Sequence, residues 1–264
     1  MSLQIEAVSV CIGYADFLNE TAFHNRKFFN RWVIVTSPED KATLSVCHRH
    51  NLDSIVTEDY ARNGGAKHLD KVFNKGRAIQ RGFDAIGAKD WVLHLDADVV
   101  LPPEFSHALE MAHLVENKIY GCDRQMVVGW DAWNAVKTSG YMQHGMHCYV
   151  LPYNKPWIGA RWASPRNGYV PIGFFQLMHG SNLVRDGIWG KPYPAHHGDA
   201  ARSDVQFGLQ WDRRNRELIP ELIVWHLESE HKTLGENWYG RTSKPFSDPH
   251  TKSMDAKTAT TGGS

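Results

Sequence analysis

The stretch Trp91 to Pro103, WVLHLDADVVLPP, constrains this chain more than any other. Mostly apolar residues run straight into Asp96 and Asp98, and the chain turns at Pro102 and Pro103. This predicts a buried strand that ends in two carboxylates. Desolvating ionised Asp is costly, so such a strand end needs a counter-charge. Residues two apart in a strand point the same way. Asp96 and Asp98 can therefore share a face and approach one hard divalent cation. The same pair would also suit the capped turn that follows an ordinary core strand, and the rest of the chain has to decide between the two.

The residues before this stretch alternate between strand and helix patterns. Ile5 to Ile12 reads as a first strand ending at Gly13 and Tyr14, and Phe17 to Phe29 as a helix with Leu18, Ala22 and Phe29 on one face. Trp32 to Val35 predicts a second strand, PEDKATLSVCHRH a helix whose charges run acid to base, and Ser54 to Val56 a third strand. The helix that precedes the acidic strand carries Val72, Ile79, Phe83 and Ile86 as an apolar stripe. Lys75, Arg77 and Arg81 ride on its other faces, either to meet a diphosphate or as a solvated row. This order predicts parallel βαβ units. Ligands of open α/β sheets bind beyond the carboxyl ends of the strands, where Gly13, Ser37, Glu58 and Asp98 fall.

Residues 120–195 differ in texture, being rich in Gly, Pro and aromatics. They predict short mixed strands and functional loops packed on the first half, without a second independent domain. Asp204 to Trp211 then reads as a short helix, Leu218 to Trp225 as a strand reaching His226, and 251–264 as a disordered tail. The expected organisation is one domain over 1–250, with a ligand-binding half at 1–103 and a second half at 104–250. With 29 basic and 29 acidic residues the chain has no overall field to recruit nucleic acid or an anionic membrane. No apolar run reaches the roughly 18 residues that would span a bilayer. The start lacks signal-peptide features, and the four cysteines show no CxxC pairing. A cytoplasmic protein is expected. The Trp content hints at a planar or ring-shaped ligand.

The run NKGRAIQRGFDAIGAKDWVLHLDADVVLPPEF resembles the nucleotide-binding half of GT-A fold glycosyltransferases, especially the family 2 and β-1,4-galactosyltransferase types, in which an N-x-G-x-a-x-x-x-G helix precedes a strand ending in DxD. GFFQLMHGSNLVRDGIWGKPYP is similar to their donor-sugar and acceptor segment, ARSDVQFGLQW to their G-E-D-x-x-F-G-x-R segment, and IVWHLESEH to the strand that returns a metal-binding His. The resemblance implies an α/β fold, a Rossmann-like mixed sheet flanked by helices in a single domain. It implies that Asp98 and His226 bind the metal, that Asp96 holds the ribose or completes the coordination, and that Asp204 is the catalytic base. Lys75, Arg77, Gly13, Tyr14, Gly173 and Trp189 would serve the nucleotide-sugar. Two positions depart from the pattern: Ser203 stands where the family has Glu, and Gly173 is followed by Phe174 where the galactosyltransferase type has a second Gly. The family's donor sugar and acceptor contact therefore do not carry over.

The chemistry implied is metal-dependent, inverting transfer from a nucleoside diphosphate sugar, a UDP-sugar above others. An imidazole ligand favours Mn²⁺ over Mg²⁺. Glu228 and His231 are substitutes for His226, and Asp199 for Asp204. Trp157, Trp162 and Trp189 would form a sugar platform or ordinary core, and His196 and His197 a mobile acceptor loop. Neither Cys47, His48 and His50 nor His144, His147 and Cys148 has a zinc-site spacing. A glycan, a protein side chain or a modified nucleobase would fit as acceptor. A sugar nucleotidyltransferase would show a Gly-rich phosphate loop after the first strand, which GYADFLNE is not. A non-catalytic carbohydrate-binding module has no use for Asp98, Asp204 and His226 together.

Overall fold

The computed structural model describes residues 3–62, 72–139, 163–164, 166–185, 188–200, 202–230 and 239–248. The first half alternates β1 (Ile5–Val10), α1 (Ala15–Asn25), β2 (Arg31–Thr36), α2 (Lys41–Arg49), β3 (Asp53–Val56), α3 (Lys75–Ala85) and β4 (Trp91–Leu95). There follow β5 (Val99–Val100), α4 (Phe105–Met111), β6 (Ile119–Val128), α5 (Trp130–Thr138), β7 (Ala163–Ser164), β8 (Gly168–Tyr169) and β9 (Phe175–His179). The chain continues through β10 (Val184–Arg185), β11 (Ile188–Trp189), α6 (Ser203–Gly208) and β12 (Arg216–Glu228).

One eight-stranded sheet in the order β3-β2-β1-β4-β9-β6-β12-β5 organises the molecule. Strands β1 to β4 are parallel, β9 runs antiparallel between β4 and β6, and β12 lies parallel to β6. This is the mixed, helix-flanked sheet expected. Alternate residues of each strand feed opposite faces. Ala7 and Leu93 pack with Leu18, Val46 and Phe105, whereas Val8 and Val92 pack with Ile79, Phe83 and Phe207. A third cluster joins Trp133 of α5 to Trp225 of β12, Phe17 and Phe246. Among the described residues no helix is long and apolar enough to cross a membrane.

Local chemistry explains the α3 motif. The Asn74 side chain caps the helix by accepting from Arg77 N at 3.0 Å. Gly76 and Gly82 are the points of close approach. A Cβ on Gly76 would lie 2.0 Å from Pro194 O, and one on Gly82 2.2 Å from Val8 Cγ1. The two glycines let the helix lie against the 190s loop and against β1.

The expectation of short strands and loops from residue 120 is corrected at its start, because β6 is a ten-residue strand followed directly by a helix. Most of β6 is buried, Asp123, Arg124 and Gln125 included. A strand enclosed on both faces carries no alternation for the eye to find. In β12, Pro220 has no N–H to give, and the register with β6 shifts between Ile219 and Ile223. The expected tail, 251–264, lies outside the described residues.

Candidate active site

Asp96 and Asp98 lie in the turn from β4 to β5, as the buried-strand reading requires. That turn is held by Val99 N donating to Asp96 O at 3.2 Å, and by Asp96 N donating to Phe174 O at 3.2 Å. Strand β5 pairs with β12 so that Val99 faces His226, and Leu227 N donates to Asp98 O at 2.8 Å. The pairing brings His226 Nε2 to 3.2 Å from Asp98 Oδ1. One ligand atom from each of Asp96, Asp98 and His226 lies within 4.8 Å of the others.

The donor set suits a divalent cation. Asp98 Oδ1 is buried and, among the described residues, has no hydrogen-bond partner despite the nearby imidazole. Neighbouring ligands on an octahedral ion stand about 3 Å apart, close to this spacing. Two carboxylates with one imidazole favour Mn²⁺ among hard divalent ions. Burial alone would raise the Asp98 carboxyl, but His226 and then Lys75 more than offset it, and its pKa is held below the usual range.

Lys75, at the start of α3, makes an ion pair with Asp96 Oδ1. Burial would lower its ammonium pKa, but the charge and hydrogen bond of Asp96 prevail and raise it, with Asp204 and Asp98 adding to the effect. One cation therefore answers three carboxylates. Arg77 has a buried Nε without a hydrogen-bond partner among the described residues. Arg81 follows the solvated-row alternative: it is half-exposed and, with Arg62, paired to the buried Asp59.

Asp204 stands in the first turn of α6. Its Oδ2 accepts from Gly173 N and its Oδ1 from Val205 N, both at 2.7 Å. A Cβ on residue 173 would come within 2.9 Å of Asp204 Cβ, so this approach depends on Gly173. Burial, only partly countered by those amides and by Lys75, raises the Asp204 carboxyl above its ordinary pKa. Asp204 is thus both a helix N-terminal acid and a desolvated base candidate near the same lysine.

Gly13 adopts φ +74 after β1, donates to Asp40 Oδ2 at 2.7 Å and accepts from Arg241 Nη1 at 2.9 Å. Tyr14 follows as the α1 cap, with the Arg241 guanidinium 5.0 Å from its ring centre. Burial first, and then the charge of Asp98, raise its phenol pKa, which sets Tyr14 beside the acidic turn. Trp189 is placed through its backbone, opposite Val184. Trp157, Trp162, His144, His147, Cys148 and His231 lie outside the described residues. The rings of His196 and His197 lie 4.0 Å apart, tilted by 44°, whereas His50 meets Asn19 and Cys47 is buried in the core.

Three features escaped the sequence reading. Arg124 of β6 reaches His226 Nδ1 at 2.8 Å and lies over the Phe174 ring at 4.7 Å. His94, fully buried on β4, meets Gln176 Oε1 and Tyr193 OH, each at 3.2 Å, while Gln176 Nε2 donates to Asp204 O at 3.0 Å. Burial lowers the His94 pKa to about 4, so the ring is a neutral bridge beneath the site. Arg241 clasps Asp16 through both carboxylate oxygens and ties the 240s to the β1 exit. An Arg inside an apolar strand was the signal available for Arg124, and a His two residues before the acidic pair was the signal for His94.

No protein-family model matches the sequence, and no curated protein matches it. Solved structures do. Glucosyl-3-phosphoglycerate synthase from Mycobacterium tuberculosis, in complex with Mn²⁺, UDP and glucosyl-3-phosphoglycerate, aligns at TM-score 0.50 and 13% identity over 89% of this chain and 74% of that one. The same enzyme with Mn²⁺ and UDP-glucose aligns at 0.50 and 12% over 89% and 73%. The fold is of the GT-A type. Mannosyl-3-phosphoglycerate synthase from Rubrobacter xylanophilus overlays 47% of this chain and 41% of its own, at TM-score 0.36 and 17% identity, too partial to bear on the GT-A assignment.

Proposed function

We propose that this protein is a metal-dependent, inverting glycosyltransferase that moves a sugar from a UDP-sugar to an acceptor hydroxyl. The observation that carries this reading is the meeting of His226 with Asp98 at 3.2 Å, around a buried carboxylate oxygen that lacks a hydrogen-bond partner among the described residues. A GT-A fold shared with structures holding Mn²⁺ with UDP or UDP-glucose supports it. A cation held by Asp98 and His226, with Asp96 beside them, would neutralise charge on the diphosphate leaving group.

The protein's own groups have distinct tasks in this reading. Lys75 and Arg77 face the diphosphate, Asp96 the ribose, Gly13 and Tyr14 the nucleotide, and Gly173 and Trp189 the sugar. Asp204 takes the acceptor's proton as the acceptor oxygen bonds to the anomeric carbon and the bond to the diphosphate oxygen breaks. Its raised pKa makes it a stronger base than an ordinary Asp. A single base acting with direct displacement inverts the anomeric centre. Residues 1–103 would bind the donor and 104–250 would present the acceptor.

The acceptor is a glycan, a protein side chain, a modified nucleobase or a small hydroxy compound. One GT-A neighbour holds glucosyl-3-phosphoglycerate, so 3-phosphoglycerate heads the panel to be tried. Buried free thiols at Cys11, Cys47 and Cys122 support a reducing, cytoplasmic setting. The test is incubation with a panel of nucleotide sugars and Mn²⁺ while nucleotide release is followed. EDTA-sensitive release from one donor is expected. Failure of every nucleotide to bind in a metal-dependent way would sink the proposal.

A further inference from the structure

The environment of His226 contains a conflict that bears on how the cation site is filled. Arg124 is 8% exposed, and its Nη1 lies 2.8 Å from His226 Nδ1. A guanidinium has only donors. Nδ1 must therefore be the lone-pair nitrogen, and the ring carries its proton on Nε2. That proton occupies the Nε2 lone-pair direction along which a cation would bind, with Asp98 Oδ1 3.2 Å from Nε2. A metal ligand needs the opposite tautomer, with Nε2 free and Nδ1 protonated toward an acceptor. Arg124 is a donor where an acceptor belongs.

The guanidinium is equipped to move. Among the described residues its Nε is buried without a hydrogen-bond partner, it rests on the face of Phe174, and it feels the charges of Asp96, Asp98 and Glu228. An anion arriving at the acidic turn together with a cation offers Arg124 a better partner than the imidazole.

We infer that Arg124 is a positioning residue that holds His226 in the Nε2–H tautomer, so that the site takes a divalent cation poorly alone and well only with a diphosphate that draws the guanidinium off the ring. The inference rests on reading Asp98 and His226 as a metal site. It deepens that reading by naming the residue that couples cation to donor.

Two measurements test it. In wild-type protein labelled with ¹⁵N-histidine, long-range ¹H–¹⁵N spectra assigned with His226→Gln should show the Nε2–H form of His226 without metal. Finding the Nδ1–H form would overturn the inference even if every Arg124 variant failed to fold. In Mn²⁺ titrations followed by electron paramagnetic resonance, Arg124→Met should bind Mn²⁺ alone about tenfold more tightly than wild type. The mutual enhancement between Mn²⁺ and UDP should shrink by the same factor. An ordinary supporting residue would have the opposite sign, so weaker or unchanged Mn²⁺ binding by the folded variant overturns the inference. If wild type binds no Mn²⁺ even with UDP, the metal-site reading itself falls. If it binds Mn²⁺ but shows the Nδ1–H tautomer, only the role of Arg124 falls.

Discussion

Asp98 and Asp204 both feel the charge of one cation, Lys75, and their surroundings push them in opposite directions. Asp98 is paired with an imidazole and held in its ionised form, with a lowered pKa. Asp204 meets two backbone amides but, among the described residues, no cationic partner of its own, and burial raises its pKa. Two carboxylates set apart in this way are suited to two roles, one as a permanent charge and the other as a proton carrier. The difference lies in what the fold places next to each one. A neighbouring strand brings an imidazole to Asp98, whereas a helix start and a glycine loop bring only dipoles to Asp204.

The comparison breaks most easily at Asp204. Replacement by Asn should cut transfer by about 10²- to 10⁴-fold, the range for a lost general base, while Mn²⁺-dependent UDP binding stays near wild type. Calorimetry with UDP beside a product assay separates the two, and a parallel loss of binding would move Asp204 to the donor side. Next in size, His226→Gln should weaken Mn²⁺ binding by at least about tenfold and leave Asp204 in place. Equilibrium dialysis with Mn²⁺ in the presence of UDP measures this, and unchanged affinity would remove His226 from the metal group.

A smaller effect is expected at the bridge between the corners. Tyr193→Phe removes the hydroxyl that meets His94 and donates to Gln176 Oε1 at 3.0 Å. It should cost about 1 kcal/mol in a denaturant melt, with a modest fall in kcat and little change in metal affinity. A stability loss with kcat untouched would make the bridge purely structural.

The subtlest test uses pH. The raised pKa of Asp204 places the acid limb of kcat above that of an ordinary Asp, so the rate falls early on acidification. For stability the two signs differ. The contribution of Asp98 is present above its unfolded pKa and lost as pH falls through the lower folded value. That of Asp204 is full below its unfolded pKa and lost as pH rises through the higher folded value. Across pH 3 to 8, Asp98→Asn should fall below wild type in stability and Asp204→Asn rise above it as the pH increases and the wild-type carboxylates ionise, both converging on wild type at the acid end, and displacement in the same direction would erase the distinction.

Much of this was legible in the chain. The βα alternation of the first half, the acidic strand end and the Asn74-Gly76-Gly82 spacing each arise from local patterns with local causes: burial, capping and close approach. The strand carrying His226 was readable too, although it runs to Glu228, past the expected end. Strand β6 was not, because a strand enclosed on both faces loses the alternation that marks a half-buried one. Arg81 was readable as a member of a solvated row, but its partner was not. Its helix face was visible, but not that Asp59, distant in sequence, would claim it.

What the sequence determined by itself was therefore a set of elements and a set of chemically capable residues: the DAD turn after β4, a His at the end of a strand and an Asp at the start of a helix. What only the tertiary structure decided was their company. His226 reaches Asp98 because β12 pairs with β5 in one register, and Arg124 reaches His226 because β6 lies on the other side of β12. Strand register depends on hydrogen bonds between distant residues and leaves no periodic trace in either strand. Charge, tautomer and pKa follow from those neighbours, and so they became readable only once the sheet was assembled.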